Sequence, residues 1–220
     1  MCGRFNQTAS GDEIAEAFEL ETKAALAPRY NIAPTQPVPV VVLDPGSGSR
    51  ALVERRWGLV PRDALGKERG FINARAESAA DKTAFSEAFA RRRCLVVATG
   101  FYEWQQVDAK KRQPWLFQLA GGGPFAFAGL WEPAAAFEGA ASTCTILTTQ
   151  PNDVTRPVHD RMPVILPPES YARWLDPRLG TRDELHDLLV PFPAEAMTAY
   201  PVSTRVNNVA FDDPACLAPA

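Results

Sequence analysis

Twenty prolines are spread through a chain of 220 residues, and that punctuation constrains the fold more than any other feature. Proline fixes φ and withholds the backbone donor that helix and sheet interiors need, so long uninterrupted elements are excluded. The prolines never gather into one low-complexity tract, which predicts many short elements joined by rigid turns. Short β-type runs fall at 94–99, 101–107, 114–119, 125–131, 143–149 and 163–166, and residues 38–43 and 51–57 flank Asp44-Pro45-Gly46-Ser47-Gly48 as a hairpin. Ser10 and Glu13 have capping-box spacing and open a helix over roughly 11–20; further helices are predicted near 81–91, 169–175 and 181–189. The pattern is that of an α+β domain with a curved, largely antiparallel, barrel-like β core and a few peripheral helices. One domain is expected over 1–211, followed by a loose tail over 212–220.

Hydrophobic residues make up 46% of the chain and charged residues 22%, which excludes a disordered or fibrous protein. The net charge of -3 hides an uneven distribution. Residues 50–112 carry 14 Lys/Arg against 8 Asp/Glu, whereas 113–220 carry 6 against 12, so the middle of the chain suits a polyanion even though the total does not. No apolar run has the length of a membrane span, and the start of the chain lacks the apolar stretch of a secretory signal, so an intracellular protein is expected. Cys2, Cys94, Cys144 and Cys216 lie far apart with only His159 and His186 to assist them, which argues against a metal site and a disulfide framework.

Cys2 is the most informative reactive residue. Removal of Met1 would leave it as the amino terminus, with an α-amine and a thiol two carbons apart; that pair condenses with an aldehyde to an imine and closes a five-membered thiazolidine. Reference pKa values of about 7.8 for the amine and about 8.5 for the thiol leave both usable near neutrality. On position alone, a second-position cysteine is explained more simply as an accident of a frayed terminus. Gly3 and Arg4 add backbone room and a fixed cation. In Phe71-Ile72-Asn73-Ala74-Arg75-Ala76-Glu77, alternation puts Asn73, Arg75 and Glu77 on one face, whether of a site or of a solvated edge strand. Glu103, bracketed by Phe101, Tyr102 and Trp104, is either a desolvated acid–base group or a carboxylate pointing at water. His159 lies in a proline-bounded loop beside Asp160 and Arg161, where a catalytic and a hydrogen-bonding role both remain open, while His186 reads as a surface residue. Trp57, among Arg55, Arg56 and Arg62, suits base stacking or simply the core. Arg91-Arg92-Arg93 ends a predicted helix and complements its dipole.

Taken in order, Met1-Cys2-Gly3-Arg4-Phe5, Tyr30-Asn31-Ile32-Ala33-Pro34-Thr35, Trp57-Gly58-Leu59-Val60-Pro61, Asn73-Ala74-Arg75-Ala76-Glu77, Gly100-Phe101-Tyr102-Glu103-Trp104, His159-Asp160-Arg161-Met162-Pro163 and Val202-Ser203 resemble the SOS response-associated peptidase (SRAP) family. The resemblance covers essentially the whole chain, with small departures at Val97, Thr99 and Thr204. It implies a protein of the SOS and DNA damage response that senses abasic sites in single-stranded DNA or at single-to-double-strand junctions and forms a covalent thiazolidine through Cys2. Lyase and self-processing peptidase activities come with it. Carried across, Asn73 orients the amino terminus and sugar, Glu103 shuttles protons, and His159 acts as acid–base. Arg4, Arg75 and Arg161 bind phosphate; Trp57, Asn31 and Pro34 line the wall against flanking bases. No cofactor is implied, and a monomer in the cytoplasm or on the nucleoid (nuclear in a eukaryote) is expected. Two other functions compete: a thiol peptidase or autopeptidase using Cys2, and a non-covalent single-strand binder that would leave Glu103 and His159 unexplained.

Overall fold

The computed structural model describes residues 2–22, 26–62, 70–134 and 141–220. Its center is a ring of five strands. The hairpin β3 (Pro37–Leu43) and β4 (Arg50–Trp57) pairs in full register from Pro37 with Arg56 to Leu43 with Arg50. Asp44 Oδ1 accepts from the amides of Gly46 and Ser47 in the connecting turn, and Gly48 supplies the positive φ of 72°. β3 continues antiparallel to β6 (Arg93–Ala98), β6 to β9 (Phe125–Glu132), and β9 to β10 (Thr143–Thr149). β10 then pairs in parallel with the end of β4 and closes the ring, while the short β11 (Met162–Pro163) and β12 (Ile165–Leu166) pair with β10 and β9 respectively. Closure leaves these strands few free edges.

Alternation divides the strands between two cores. Val38, Val40 and Val42, with Cys94, Val96, Ala98, Phe125 and Phe127, join one cluster that also holds Cys2, Phe5 and Trp57. Val41, Leu95, Val97, Ala126, Ala128 and Leu130 face the helices: α1 (Gly11–Phe18), α2 (Ala76–Ala79), α3 (Ser86–Arg91), α4 (Tyr171–Leu175) and α5 (Arg182–Leu185). Gly129 allows close packing between strands of the ring, since a Cβ there would sit 2.8 Å from Cys94 Sγ and 2.9 Å from Val96 Cγ2.

A second sheet orders β13 (Met197–Pro201), β8 (Arg112–Leu119), β7 (Gly100–Gln106), β1 (Phe5–Gln7) and β2 (Arg29–Ile32). One face, through Phe101 and Phe117, packs on the cluster containing Cys2; Tyr102, Leu116 and Trp104 on the other pack with Val202, Val206 and Cys216. β1 pairs with β7, which anchors the segment carrying Cys2 to the strand carrying Glu103.

The mixed α+β, partly ring-like architecture agrees with expectation, and the Ser10–Glu13 capping box forms as predicted. Three local readings are corrected. The helix expected over 81–91 is reduced to Ser86–Arg91 behind a turn. In 73–77 only Asn73–Arg75, here β5, is strand; it runs parallel to β10 and enters α2 at Ala76, so Glu77 leaves the strand face. The segment 212–220 is docked rather than loose. Asp212 Oδ1 accepts from the amides of Tyr30 and Asn31, its other oxygen pairs with Arg29, Cys216 is buried, and Val202 bridges Pro219. A partly buried carboxylate-to-amide anchor of this kind outweighs the polar, Ala/Pro-rich look of the segment.

Candidate active site

The segment preceding β1 delivers Cys2 into the apolar cluster beneath β7, where its thiol is fully buried and approaches the Arg4 carbonyl at 3.9 Å. Met1 lies outside the described residues. Burial pushes the thiol pKa well up, and the nearby Glu103 carboxylate pushes it further in the same direction. Glu103 and Phe101 are two apart on β7 and share its inner face, so the carboxyl is carried under the sheet, 3% exposed, among aromatic side chains. Burial raises its pKa to about 7, and Asp160 adds to the rise. A carboxyl poised there both gives and takes a proton at neutral pH.

His159 reaches the same carboxyl from a different segment, with Nε2 3.9 Å from Glu103 Oε2. Its Nδ1 is 3.0 Å from the Arg161 amide and 3.0 Å from the Asp160 carboxylate. The amide calls for an unprotonated Nδ1 and the carboxylate for a protonated one. The amide prevails, because it is fixed in the backbone while Asp160 is 90% exposed and screened. Burial lowers the ring's pKa, against the pull of Asp160. A neutral imidazole with its proton on Nε2, toward Glu103, follows.

The loop holding His159 is fixed by Asn152, a residue the sequence reading passed over. Asn152 Oδ1 accepts from the amides of Val154 and Thr155 and from Thr155 Oγ1, and Nδ2 donates to the Phe192 carbonyl. The His159 amide in turn donates to the Thr155 carbonyl, and Gln105 Nε2 on β7 donates to Pro157 O. The Asn-x-x-Thr spacing after Pro151 was a usable signal for such a turn. Asn152→Ala is expected to lower the unfolding free energy by about 2 kcal/mol, because it strands several buried groups at once; chemical denaturation measures it, and a loss within the noise would remove Asn152 as the loop's anchor.

Asn73, on β5, is half-buried; Nδ2 donates to the Ile72 carbonyl at 3.0 Å, and Oδ1 is buried with no hydrogen-bond partner among the described residues. An orphaned buried acceptor suits an incoming donor such as an amine. Arg75 is exposed, and Pro34 half-buried.

Three expected nucleic-acid contacts are corrected, and a fourth residue, Arg4, is placed away from the Cys2 cleft. Trp57 is fully buried, its ring 5.1 Å from that of Phe5 and its indole N–H donated to Ile72 O at 2.8 Å, so it cannot stack on a base. Asn31 is also buried, its Nδ2 donating to the carbonyls of Asn208 and Phe211. Arg161 forks onto Glu77 at 2.6 and 2.8 Å and donates to Thr148 O, so a phosphate could reach it only by displacing a carboxylate; it ties α2 to β10 beside His159. Arg4 donates to Asn31 Oδ1 and Val206 O and lies against Trp104, on the side of β7 opposite Glu103.

Among the described residues, no group of three or more His, Cys, Asp and Glu could hold a metal ion. No helix is long and apolar enough to cross a membrane.

Residues 1–209 match the family model described as SOS response associated peptidase (SRAP). The abasic site processing protein YoaM of Bacillus subtilis is 41% identical over 214 residues, spanning 94% of this chain and 93% of the relative. The abasic site processing protein HMCES of Xenopus tropicalis is 29% identical and spans 99% of this chain and 78% of its own. Among solved structures, a protein from Bacteroides thetaiotaomicron superimposes with a TM-score of 0.83 at 25% identity over 100% of both chains. A phage-related protein of Bordetella bronchiseptica does so with a TM-score of 0.74 at 30% identity, covering 92% of this chain and 95% of its own.

Proposed function

The chain belongs to the SOS response associated peptidase (SRAP) family, and from that membership we propose that it captures abasic sites in single-stranded DNA, alone or at junctions, by forming a thiazolidine with Cys2 after Met1 is removed. Its relatives are named abasic site processing proteins. The observation that carries the reading is the Glu103 carboxyl, raised to about 7 by burial, acting on the Cys2 thiol and lying 3.9 Å from His159 Nε2.

An abasic sugar is mainly a closed hemiacetal. As its C1′–ring oxygen bond breaks, the protonated Glu103 carboxyl gives its proton to the ring oxygen and takes the C1′ hydroxyl proton on its other oxygen, with His159 Nε2–H orienting it, leaving an open aldehyde. The Cys2 amine adds to C1′; Glu103, now protonated, protonates the carbinolamine oxygen, and water leaves as the iminium forms. The sulfur attacks that carbon while its proton returns to Glu103. The sum is one C–N and one C–S bond formed and one water released. Asn73 Oδ1 is suited to receive an N–H of the amine, and exposed Arg75 to contact a flanking phosphate. Ring closure consumes the imine from which β-elimination would cut the strand.

The thiol's upward shift favors this chemistry over hydrolysis. A thiol peptidase needs a thiol acidified by its surroundings, whereas addition to an iminium proceeds from a thiol kept neutral until the electrophile exists.

The test uses protein shown by intact mass to lack Met1 and an oligonucleotide with one abasic site. A band surviving a denaturing gel is expected, with a mass equal to protein plus DNA less one water, and none with Cys2→Ala. Failure of the wild type to shift, or a shift that persists in Cys2→Ala, overturns the reading.

A further inference from the structure

On the face of the five-stranded sheet away from Glu103, a pocket of about 480 Å³ is lined by Arg4, Trp104, Gln106, Lys110, Arg112 and Asn207. Three of these are cations and none is a carboxylate. Arg4 is only partly exposed, and its Nη1 donates to two uncharged oxygens, Asn31 Oδ1 at 2.8 Å and Val206 O at 2.7 Å. Its Nε is buried with no hydrogen-bond partner among the described residues. Among those residues no carboxylate forms an ion pair with Arg4, Lys110 or Arg112. The nearby Asp108 carboxylate is engaged by the amides of Lys110 and Lys111 in the turn between β7 and β8.

The walls are organized. Trp104 Nε1 donates to Asn207 Oδ1 at 2.7 Å, which sets the indole, and the Arg4 guanidinium carbon stands 5.7 Å from its ring centroid. Arg112 Nε donates to Gln106 Oε1 at 2.9 Å and is held along the hairpin. A partly desolvated guanidinium without a counter-charge costs free energy that a bound anion recovers. Cations beside an aromatic face form the arrangement that holds a phosphodiester with a neighboring base.

We propose that this pocket is a second phosphate site, which takes a backbone phosphate of the same DNA strand whose abasic sugar occupies the Cys2 cleft. The inference rests on the reading of the cleft as an abasic-site center. The strand passes between the two faces of the sheet over the 107–111 turn, so the pocket adds affinity only for strands long enough to span it.

The test compares wild type with a Lys110→Gln/Arg112→Gln double variant, both side chains being exposed. Binding is measured for a trinucleotide and for a strand of about fifteen nucleotides, each carrying a stable abasic analog. The expected result is that the gain in affinity from short to long strand falls about tenfold in the variant, and that the salt slope for the long strand falls by about one unit. An unchanged gain with length overturns the inference. Inorganic phosphate distinguishes a free anion from a strand. If it shifts the amide resonances of Trp104 and Arg112 while the length dependence is the same in both proteins, the pocket takes small anions and the strand assignment is wrong. If the wild type neither binds abasic strands nor forms the crosslink, it is the proposed function that has failed; if it does both and the variant keeps its full gain with length, only this inference has.

Discussion

Glu103→Gln is expected to make the protein more stable at pH 8 and, in the same molecule, to slow capture of an abasic aldehyde by about 100-fold. Both effects come from burial. The carboxyl titrates at about 7 in the fold against 4.5 as the reference value, so the unfolded chain releases this proton first as pH rises. Below pH 4.5 both states hold the proton and Glu103 adds no penalty. Between 4.5 and 7 the unfolded state is progressively favored, and above 7 the loss levels off at about 3 kcal/mol. Glutamine keeps the shape and cannot ionize. Stability curves of the two proteins against pH should therefore coincide in acid and separate through that window, with the variant above. Denaturant titrations from pH 4 to pH 8 measure the gap, and parallel curves would show that Glu103 carries no such strain. The kinetic half has its own signature. The wild-type rate should fall above pH 7 as the general acid is lost, and the variant should be slow with that limb flattened. A variant that is slow only because it is damaged would lose stability at every pH.

What was legible in the sequence divides along a physical line. The hairpin of β3 and β4, the runs that become β6 to β10 and the Ser10–Glu13 cap all depend on neighbors within a few residues, and they fall close to where alternation and turn chemistry put them. β1, β2 and β13 were missed because three to five residues, partly polar, carry too little periodicity to stand out. The chemistry-bearing residues show the same division. Cys2, Glu103 and His159 stood out by their own character, and the fold brings these three together. The roles expected of Arg161, Asn31, Arg4 and Trp57 turn on partners far along the chain. Arg161 meets Glu77 84 residues away, and Asn31 meets the Phe211 carbonyl 180 residues away. A guanidinium or an amide looks equally free in a linear sequence whether or not a distant group has already satisfied it. The docking of 212–220 was hidden for the same reason, since Asp212 finds its donors on β2.

Arg93 illustrates the rule at its most costly, and it yields the second large prediction: Arg93→Met is expected to lower the unfolding free energy by about 4 kcal/mol. The sequence suggested only a cation near a helix end. In the fold all five N–H donors of the guanidinium meet backbone carbonyls: Nε that of Trp174 at 2.6 Å, Nη1 those of Phe89 and Ala90 at 2.5 and 3.0 Å, and Nη2 those of Asp176 and Leu179, both at 2.6 Å. These carbonyls end α3 and α4 and begin the turn that follows, so one side chain caps two helix C-termini against β6. Burial lowers its pKa to about 10, which leaves it charged across the working range, and its guanidinium carbon lies 5.6 Å from the center of the Trp174 ring. Methionine fills much of the same volume but donates nothing, so five carbonyls lose their donor together, several of them beyond the reach of water. The neighboring Arg92 provides the comparison. It pairs with exposed Glu87 and with buried Glu132, and Arg92→Met should cost about 2 kcal/mol, because the one buried carboxylate it strands can take up a proton. Paired denaturation curves decide the matter. If Arg93→Met and Arg92→Met cost the same, the carbonyl cluster is not what joins α3 and α4 to the barrel, and the apolar contacts of Phe89 and Trp174 must carry that junction alone.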